Sequence, residues 1–215
     1  MAGLAVCGGS AVWGLDLASP HAFYLQRHGA GRYVLPHRID HLANMRSAVE
    51  AGCDRVLALG SVGGLRPELG PGTFVCPDDF IALDAGPVAF DDERAHSVPG
   101  FEESWRRRVV VAWRDTVGSE LVDGGAYWQT RGPRLETPAE IRLMAAHAQV
   151  VGMTVASECV AAGQLGLSYA AICVVENLAN GVGERELTMQ ELLAGRAANR
   201  EAVTRALEGL VPALA

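Results

Sequence analysis

Gly132-Pro133-Arg134-Leu135-Glu136-Thr137-Pro138-Ala139-Glu140, followed by Val151-Gly152-Met153-Thr154 and then Ser157-Glu158, is the stretch that decides how this chain folds. Around it, a strand is expected over 126–129, a helix beginning near Thr137 and another helix over 157–165. The run Tyr169-Ala170-Ala171-Ile172-Cys173-Val174-Val175 is the most apolar in the chain. Strands covered on both faces read this way, so it is expected as the central strand. A last helix over 188–210 would turn Leu192, Leu193, Val203, Leu207 and Leu210 inward.

Upstream, residues 4–7 read as a first strand ending at Gly8-Gly9-Ser10. Residues 23–26 and 33–35 flank Gly29-Ala30-Gly31 and read as a hairpin. Over 36–51, Ile39, Leu42, Met45 and Val49 recur every three or four positions, which makes one helix face closed by Gly52. A buried strand over 55–59 should end in a turn at Gly60-Ser61-Val62-Gly63-Gly64, with a short strand at 73–76. Residues 84–100 are irregular and acid-rich, and a helix follows over 102–117. Short apolar runs alternating with longer amphipathic stretches indicate an α/β fold around a mixed sheet. With no repeat and no low-complexity linker, residues 1–215 read as one domain.

The 215 residues are 49% hydrophobic and 20% charged, a composition that excludes disorder as the main state. A net charge of −7, with no basic run longer than Arg106-Arg107-Arg108, excludes a nucleic-acid binder. All 18 basic residues are arginine, so mechanisms needing a Schiff-base or phosphate-loop lysine are excluded and anions must be met by Arg, His, hydroxyls and backbone N–H. The five cysteines are scattered among apolar neighbours and read as reduced core residues. No CxxC or HExxH spacing occurs, so no metal is expected. Without a signal-like amino terminus or a long apolar run, a cytoplasmic protein that does not enter membranes is expected.

Gly8-Gly9-Ser10 after a strand invites a dinucleotide reading, but Gly8-Gly9-Ser10-Ala11-Val12-Trp13-Gly14 lacks the GxGxxG spacing. Open turns at strand ends suit one inorganic phosphate better, with Arg27-His28-Gly29, Gly60-Ser61 and Met153-Thr154 as further donors. Taken singly, Asn177 reads as a polar cap at a strand end and Glu136 as an acid in a helix's first turn.

Together with Gly8-Gly9-Ser10, Arg27-His28-Gly29, Asn44, Val62-Gly63-Gly64-Leu65-Arg66 and Asn177, the opening stretch resembles the trimeric purine nucleoside phosphorylase and methylthioadenosine phosphorylase family, in family order and over nearly the whole chain. The resemblance implies a three-layer α/β/α sandwich with a central mixed sheet, no cofactor, inorganic phosphate as cosubstrate, and cleavage of a purine nucleoside to free base and pentose 1-phosphate. It implies a phosphate site of Ser10, Arg27, His28, Ser61 and Thr154, and Met153 under the sugar. Leu135, Glu136 and Asn177 would hold the base, with Asn177 stabilising the leaving purine and Glu136 fixing its orientation. An amide at 177 and a carboxylate at 136 suit a 6-oxopurine rather than adenine. Met189 and Leu192 fall at the 5′ end of the sugar, where Met189 replaces the histidine of ordinary ribonucleoside enzymes, and His96 resembles the histidine a neighbouring subunit lends in a homotrimer. The 5′ pocket therefore looks like that of enzymes for 5′-methylthioinosine, with inosine and guanosine as alternatives. Departures are a shortened segment after Leu15, Ala11 for glycine, Leu135 for phenylalanine, and Glu176 for Thr, Ser or Val. A hydrolase of the same fold, a phosphorylase of a modified purine nucleoside and a non-catalytic purine-binding protein stay open, though the last would not need Arg27, His28, Thr154, Glu136 and Asn177 together.

Overall fold

The computed structural model describes residues 3–15, 17, 19–84, 86–183 and 187–215. Its elements are β1 (Gly3–Gly8), β2 (Phe23–Gln26), α1 (His41–Glu50), β3 (Cys53–Gly64), β4 (Phe74–Cys76), β5 (Asp79–Ala82), α2 (Glu103–Thr116), β6 (Leu121–Asp123), β7 (Ala126–Gln129), α3 (Pro138–Ala145), β8 (Val150–Gly152), α4 (Val155–Gln164), β9 (Ser168–Leu178) and α5 (Met189–Leu214). Side chains start four of the helices by accepting the first unpaired N–H groups. Asp40 accepts from Ala43, Glu102 from Ser104 and Trp105, and Thr137–Glu140 and Thr188–Glu191 form reciprocal capping boxes for α3 and α5.

The long strand β3 organises the sheet. Strand β9 runs parallel along one edge of it, from Arg55↔Ser168 to Gly64↔Leu178. The other edge is divided: β1 lies parallel against its first half, and β8 meets Gly63 and Gly64 antiparallel. Between them, residues 59–62 have no strand partner on that edge among the described residues, and the sheet opens there. The sheet order is β5-β7-β8-β3-β9-β4-β6, with β2 beyond β1, and both parallel and antiparallel pairs occur.

The alternation of β9 builds the layers. Tyr169, Ala171, Cys173 and Val175 join a core with Met45 and Ala48 of α1 and Val155, Ala156 and Cys159 of α4. Ala170, Ile172 and Val174 join the opposite core, with Trp105, Val109 and Trp113 of α2 and Val203, Leu207 and Leu210 of α5. A third cluster seats Ile141 and Met144 of α3 on Trp128 and Val151. The expected α/β/α sandwich with a central mixed sheet is present, and β9 is central as read.

Several expectations are corrected. Residues 23–35 do not form a hairpin: β2 pairs parallel with β1, and 33–35 are held instead by the Val34 N–H donating to the His28 carbonyl. The helix over 36–51 is a 3-10 turn followed by the shorter α1, and its buried face is His41, Met45 and Ala48, with Val49 exposed. Gly60–Gly64 is strand rather than turn, because β9 and then β8 supply ladder partners that outweigh glycine's preference for turns. Leu193 is 55% exposed and Leu192 half-buried, so only the later leucines of α5 pack inward. Strands β5, β6 and β8 add to those expected.

Candidate active site

A cavity of about 290 Å³ lies at the opening in β3. It sits at the carboxyl ends of β3 and β9 and beside the loops that follow β1 and β2, the usual place for a ligand in such sheets. Eleven of the twelve residues expected at the site line it: Ser10, Arg27, His28, Ser61, Leu135, Glu136, Met153, Thr154, Asn177, Met189 and Leu192. The twelfth, His96, is exposed on the loop before α2 and does not line the cavity of its own chain.

Arg27 is only 2% exposed and is bound more tightly from within the protein than its sequence context indicated. Its Nε and Nη2 each donate to the Glu158 carboxylate at 2.7 Å, and Nη1 donates to the Leu59 carbonyl at 2.6 Å. Three of its five N–H donors are thus engaged. Burial opposes both charges, but their attraction prevails: the Glu158 carboxyl is held below the ordinary range and Arg27 stays protonated. Glu158 also accepts from the Tyr169 hydroxyl at 2.8 Å and the Cys7 thiol at 3.0 Å. Burial, reinforced by Glu158, keeps Cys7 a neutral thiol. Gly9 is required for this arrangement, since a Cβ there would run into the Leu59 carbonyl and the Arg27 guanidinium.

His28 stacks on Tyr33 at 4.4 Å between ring centroids, and Trp13 closes edge-on against Tyr33 at 5.3 Å. The His28 Nδ1 donates to the Val34 carbonyl at 2.8 Å, which leaves Nε2 as an acceptor in the neutral ring. Burial, with Arg27 and Arg196 adding to it, lowers the His28 pKa to about 4. Across the opening, the Ala11 N–H donates to the Ser61 hydroxyl at 3.1 Å. The Tyr127 hydroxyl accepts from the Thr154 and Val155 N–H groups, so Tyr127 caps α4. Thr154's own hydroxyl makes no cap bond and is left to the cavity.

At the other end, Thr130 donates to Glu136 Oε1 at 2.5 Å, and Asn180 donates to the Glu136 carbonyl at 3.1 Å. These bonds aim the remaining carboxylate oxygen. Glu136 stands just before the Thr137 cap, not within the first turn of α3. The Asn177 Nδ2 donates to the Leu178 carbonyl at 2.8 Å, leaving its other N–H and its Oδ1 for a ligand.

Glu176, a departure in the sequence, faces inward rather than outward. It is 4% exposed and lines the cavity. Its Oε1 lies 3.7 Å from Arg196 Nε, beyond hydrogen-bond range. Burial raises the Glu176 carboxyl above the ordinary range, opposed in part by Arg196 and the Ser61 hydroxyl. Two polar side chains of the cavity were missed in the sequence: Tyr33 and Arg196. The signal for Arg196 was available, because Met189, Leu192, Leu193 and Arg196 follow the i, i+3, i+4, i+7 rule and all four line the cavity.

With this geometry, the comparisons with known proteins are specific. The family model described as the phosphorylase superfamily matches residues 21–212. A probable 6-oxopurine nucleoside phosphorylase of Archaeoglobus fulgidus is 39% identical over 180 residues, covering 84% of this chain and 72% of that protein. A probable S-methyl-5′-thioinosine phosphorylase of Xanthomonas campestris pv. campestris is 37% identical over 201 residues, covering 89% and 78%. Among solved structures, methylthioadenosine phosphorylase from Schistosoma mansoni in complex with adenine superposes with a TM-score of 0.80 at 20% identity, over 99% of this chain and 91% of that one, a likeness of fold.

Proposed function

The chain belongs to the phosphorylase superfamily and is a pentosyltransferase acting by phosphorolysis, and from that premise we propose that its substrate is a 6-oxopurine nucleoside, 5′-methylthioinosine foremost. The whole chain is read as one catalytic domain. The observation that carries the reading is that two amide- and carboxylate-bearing residues suited to a 6-oxopurine, Glu136 and Asn177, border the same cavity as the hydroxyls of Ser10, Ser61 and Thr154.

In the reaction an oxygen of inorganic phosphate forms a bond to the anomeric carbon while the bond from that carbon to purine N9 breaks, its electron pair leaving with the base. The proton that hydrogenphosphate gives up is balanced by the one the purine anion takes up, so the products are pentose 1-phosphate and the free purine. The transition state separates a cationic sugar from an anionic base, so catalysis rests on holding phosphate close and stabilising charge on the purine. Ser10, Ser61 and Thr154 supply hydroxyls to phosphate, and Arg27 supplies its two remaining N–H donors and a positive charge fixed by Glu158. A bound phosphate anion would favour the imidazolium form of His28 and make Nε2 a donor. Asn177 meets N7 and O6, and Glu136 accepts from N1–H. Met153 packs under the sugar and Leu135 against the base.

The 5′ end carries the substrate choice. Met189 and Leu192 offer an apolar, polarizable wall where a 5′-hydroxyl would need a donor or acceptor, which favours a 5′-methylthio group. His96 sits in a segment with Leu83 at 80%, Val88 at 61% and Val98 at 98% exposure, consistent with a homotrimer in which this loop and His96 reach a neighbour's cavity. No helix among the described residues is long and apolar enough to cross a membrane, and a cytoplasmic location is proposed.

Chromatographic assay of purine release from 5′-methylthioinosine, inosine, guanosine and adenosine, each with and without phosphate, tests the proposal. Phosphate-dependent release of hypoxanthine, fastest from the methylthio substrate, is expected. Release from adenosine at a comparable rate would refute the base assignment, and equal release without phosphate would make the protein a hydrolase.

A further inference from the structure

The cavity holds a polar pair that the reaction outlined above does not use. The Glu176 side chain is 4% exposed, its Oε1 has no hydrogen-bond partner among the described residues, and it borders the cavity with Ser61. Arg196 faces it from α5 at 3.7 Å, and the Arg196 Nε is likewise without a hydrogen-bond partner among the described residues. The backbone beneath this pair is fixed: Gly195 packs so closely on the Glu176 carbonyl that a Cβ there would clash with it. A carboxylate and a guanidinium that pair directly meet at about 2.7–2.9 Å. Held further apart with both atoms unsatisfied, they fit a ligand group that donates to one and accepts from the other.

Resting on the phosphorolytic reading, we propose that Glu176 is a specificity-determining residue of the anion site, its carboxylate accepting the P–OH of hydrogenphosphate while Arg196 donates to a phosphate oxygen. The location agrees, because Glu176 follows Val175, the ladder partner of Val62, which sets it beside the Ser61 stretch of β3, and the Ser61 hydroxyl bears on its carboxyl. The charge agrees as well. Arg27 shares its charge with Glu158 through two hydrogen bonds, whereas Arg196 is the cavity-lining guanidinium, among the described residues, that no carboxylate hydrogen-bonds. The His28 Nε2, a donor once phosphate is bound, leaves the P–OH to the Glu176 carboxylate, which forms a charge-assisted bond.

An anion lacking a hydroxyl meets this carboxylate with no proton to share. Sulfate at neutral pH is such an anion, with the size and shape of phosphate, while hydrogenarsenate keeps the hydroxyl. Glu176 therefore makes the site reject sulfate and accept phosphate and arsenate.

Steady-state purine release from the best nucleoside, with sulfate as competitor against phosphate, tests this in the wild-type enzyme and in Glu176→Gln. The wild-type inhibition constant for sulfate is expected to exceed the phosphate KM by about 100-fold, and Glu176→Gln to bring the two within about tenfold, the worth of a charge-assisted bond together with the repulsion it replaces. Arsenate should support release by the wild type. Thermal melting of the wild type alone gives a second readout, with phosphate raising the midpoint and sulfate at matched ionic strength leaving it unmoved. Sulfate binding to the wild type as well as phosphate does would overturn the inference. So would a Glu176→Gln enzyme with raised nucleoside KM but unchanged phosphate KM and sulfate inhibition, since the carboxylate would then serve the pentose hydroxyls. A wild type with no phosphate-dependent release would overturn the functional reading itself, a failure seen before any sulfate is added.

Discussion

Replacing Glu158 by glutamine should strip this protein of a large part of its stability while changing its shape hardly at all. The carboxylate is fully buried and accepts two bonds at 2.7 Å from Arg27, one from Tyr169 and one from Cys7. Glutamine keeps one acceptor oxygen, but its NH2 group would face an N–H of Arg27, donor against donor, and the guanidinium would be left in the interior without a countercharge. Breaking a buried pair in this way costs about 3–5 kcal/mol. For a chain of this length each kcal/mol moves the melting midpoint by roughly 2–4 °C, so a loss of about 6–20 °C is expected. Denaturant unfolding followed by tryptophan fluorescence measures the same loss as a lower midpoint at unchanged slope. The double replacement Arg27→Met with Glu158→Leu removes both charges and should recover most of the stability while abolishing the phosphate response. A loss below about 1 kcal/mol in Glu158→Gln, or a double variant as unstable as the two single losses added together, would refute the view that Arg27 is held by Glu158.

Asn177→Asp should shift the ratio of kcat/KM for adenosine over inosine upward by at least about tenfold, because a carboxylate accepts from a 6-amino group and repels a 6-oxo group; an unchanged ratio would remove Asn177 from the base site. Met189→His should raise activity toward inosine relative to 5′-methylthioinosine by offering the 5′-hydroxyl a partner, and steady-state comparison of the two substrates checks it. Stability should fall in acid through His41, whose burial lowers its pKa from the ordinary 6.5 to about 4. The unfolded chain binds the proton first, so this contribution is intact above pH 6.5 and is lost as pH falls toward 4, by roughly 3 kcal/mol. His41→Leu should flatten that part of the pH–stability curve measured by denaturant titration.

What the sequence made legible follows from where each signal is local. Strand β9 announced itself because burial on both faces leaves a continuous apolar run, and the helices announced their presence, though for α1 and the start of α5 not their buried face, through apolar spacing and, for α3, a start near Thr137. Gly60–Gly64 misled because three glycines and a serine signal a turn locally, whereas the ladder that keeps them extended comes from β8 and β9, remote in sequence. The hairpin failed for the same reason: nothing within 23–35 tells that β2 will pair parallel with β1. Among site residues, the quoted motifs led to eleven that line the cavity. The engagement of Arg27 by Glu158, 131 positions away, left no mark in spacing. Glu176 stood out as an oddity, but only its neighbours, Ser61 and Arg196, show which way it faces.

The central claim is that phosphate itself becomes bonded to the sugar. Phosphorus NMR of the enzyme with 5′-methylthioinosine and inorganic phosphate follows this directly. The inorganic phosphate signal should decline and a pentose 1-phosphate signal rise, mole for mole with hypoxanthine released. Hypoxanthine release with the inorganic phosphate signal undiminished would contradict it.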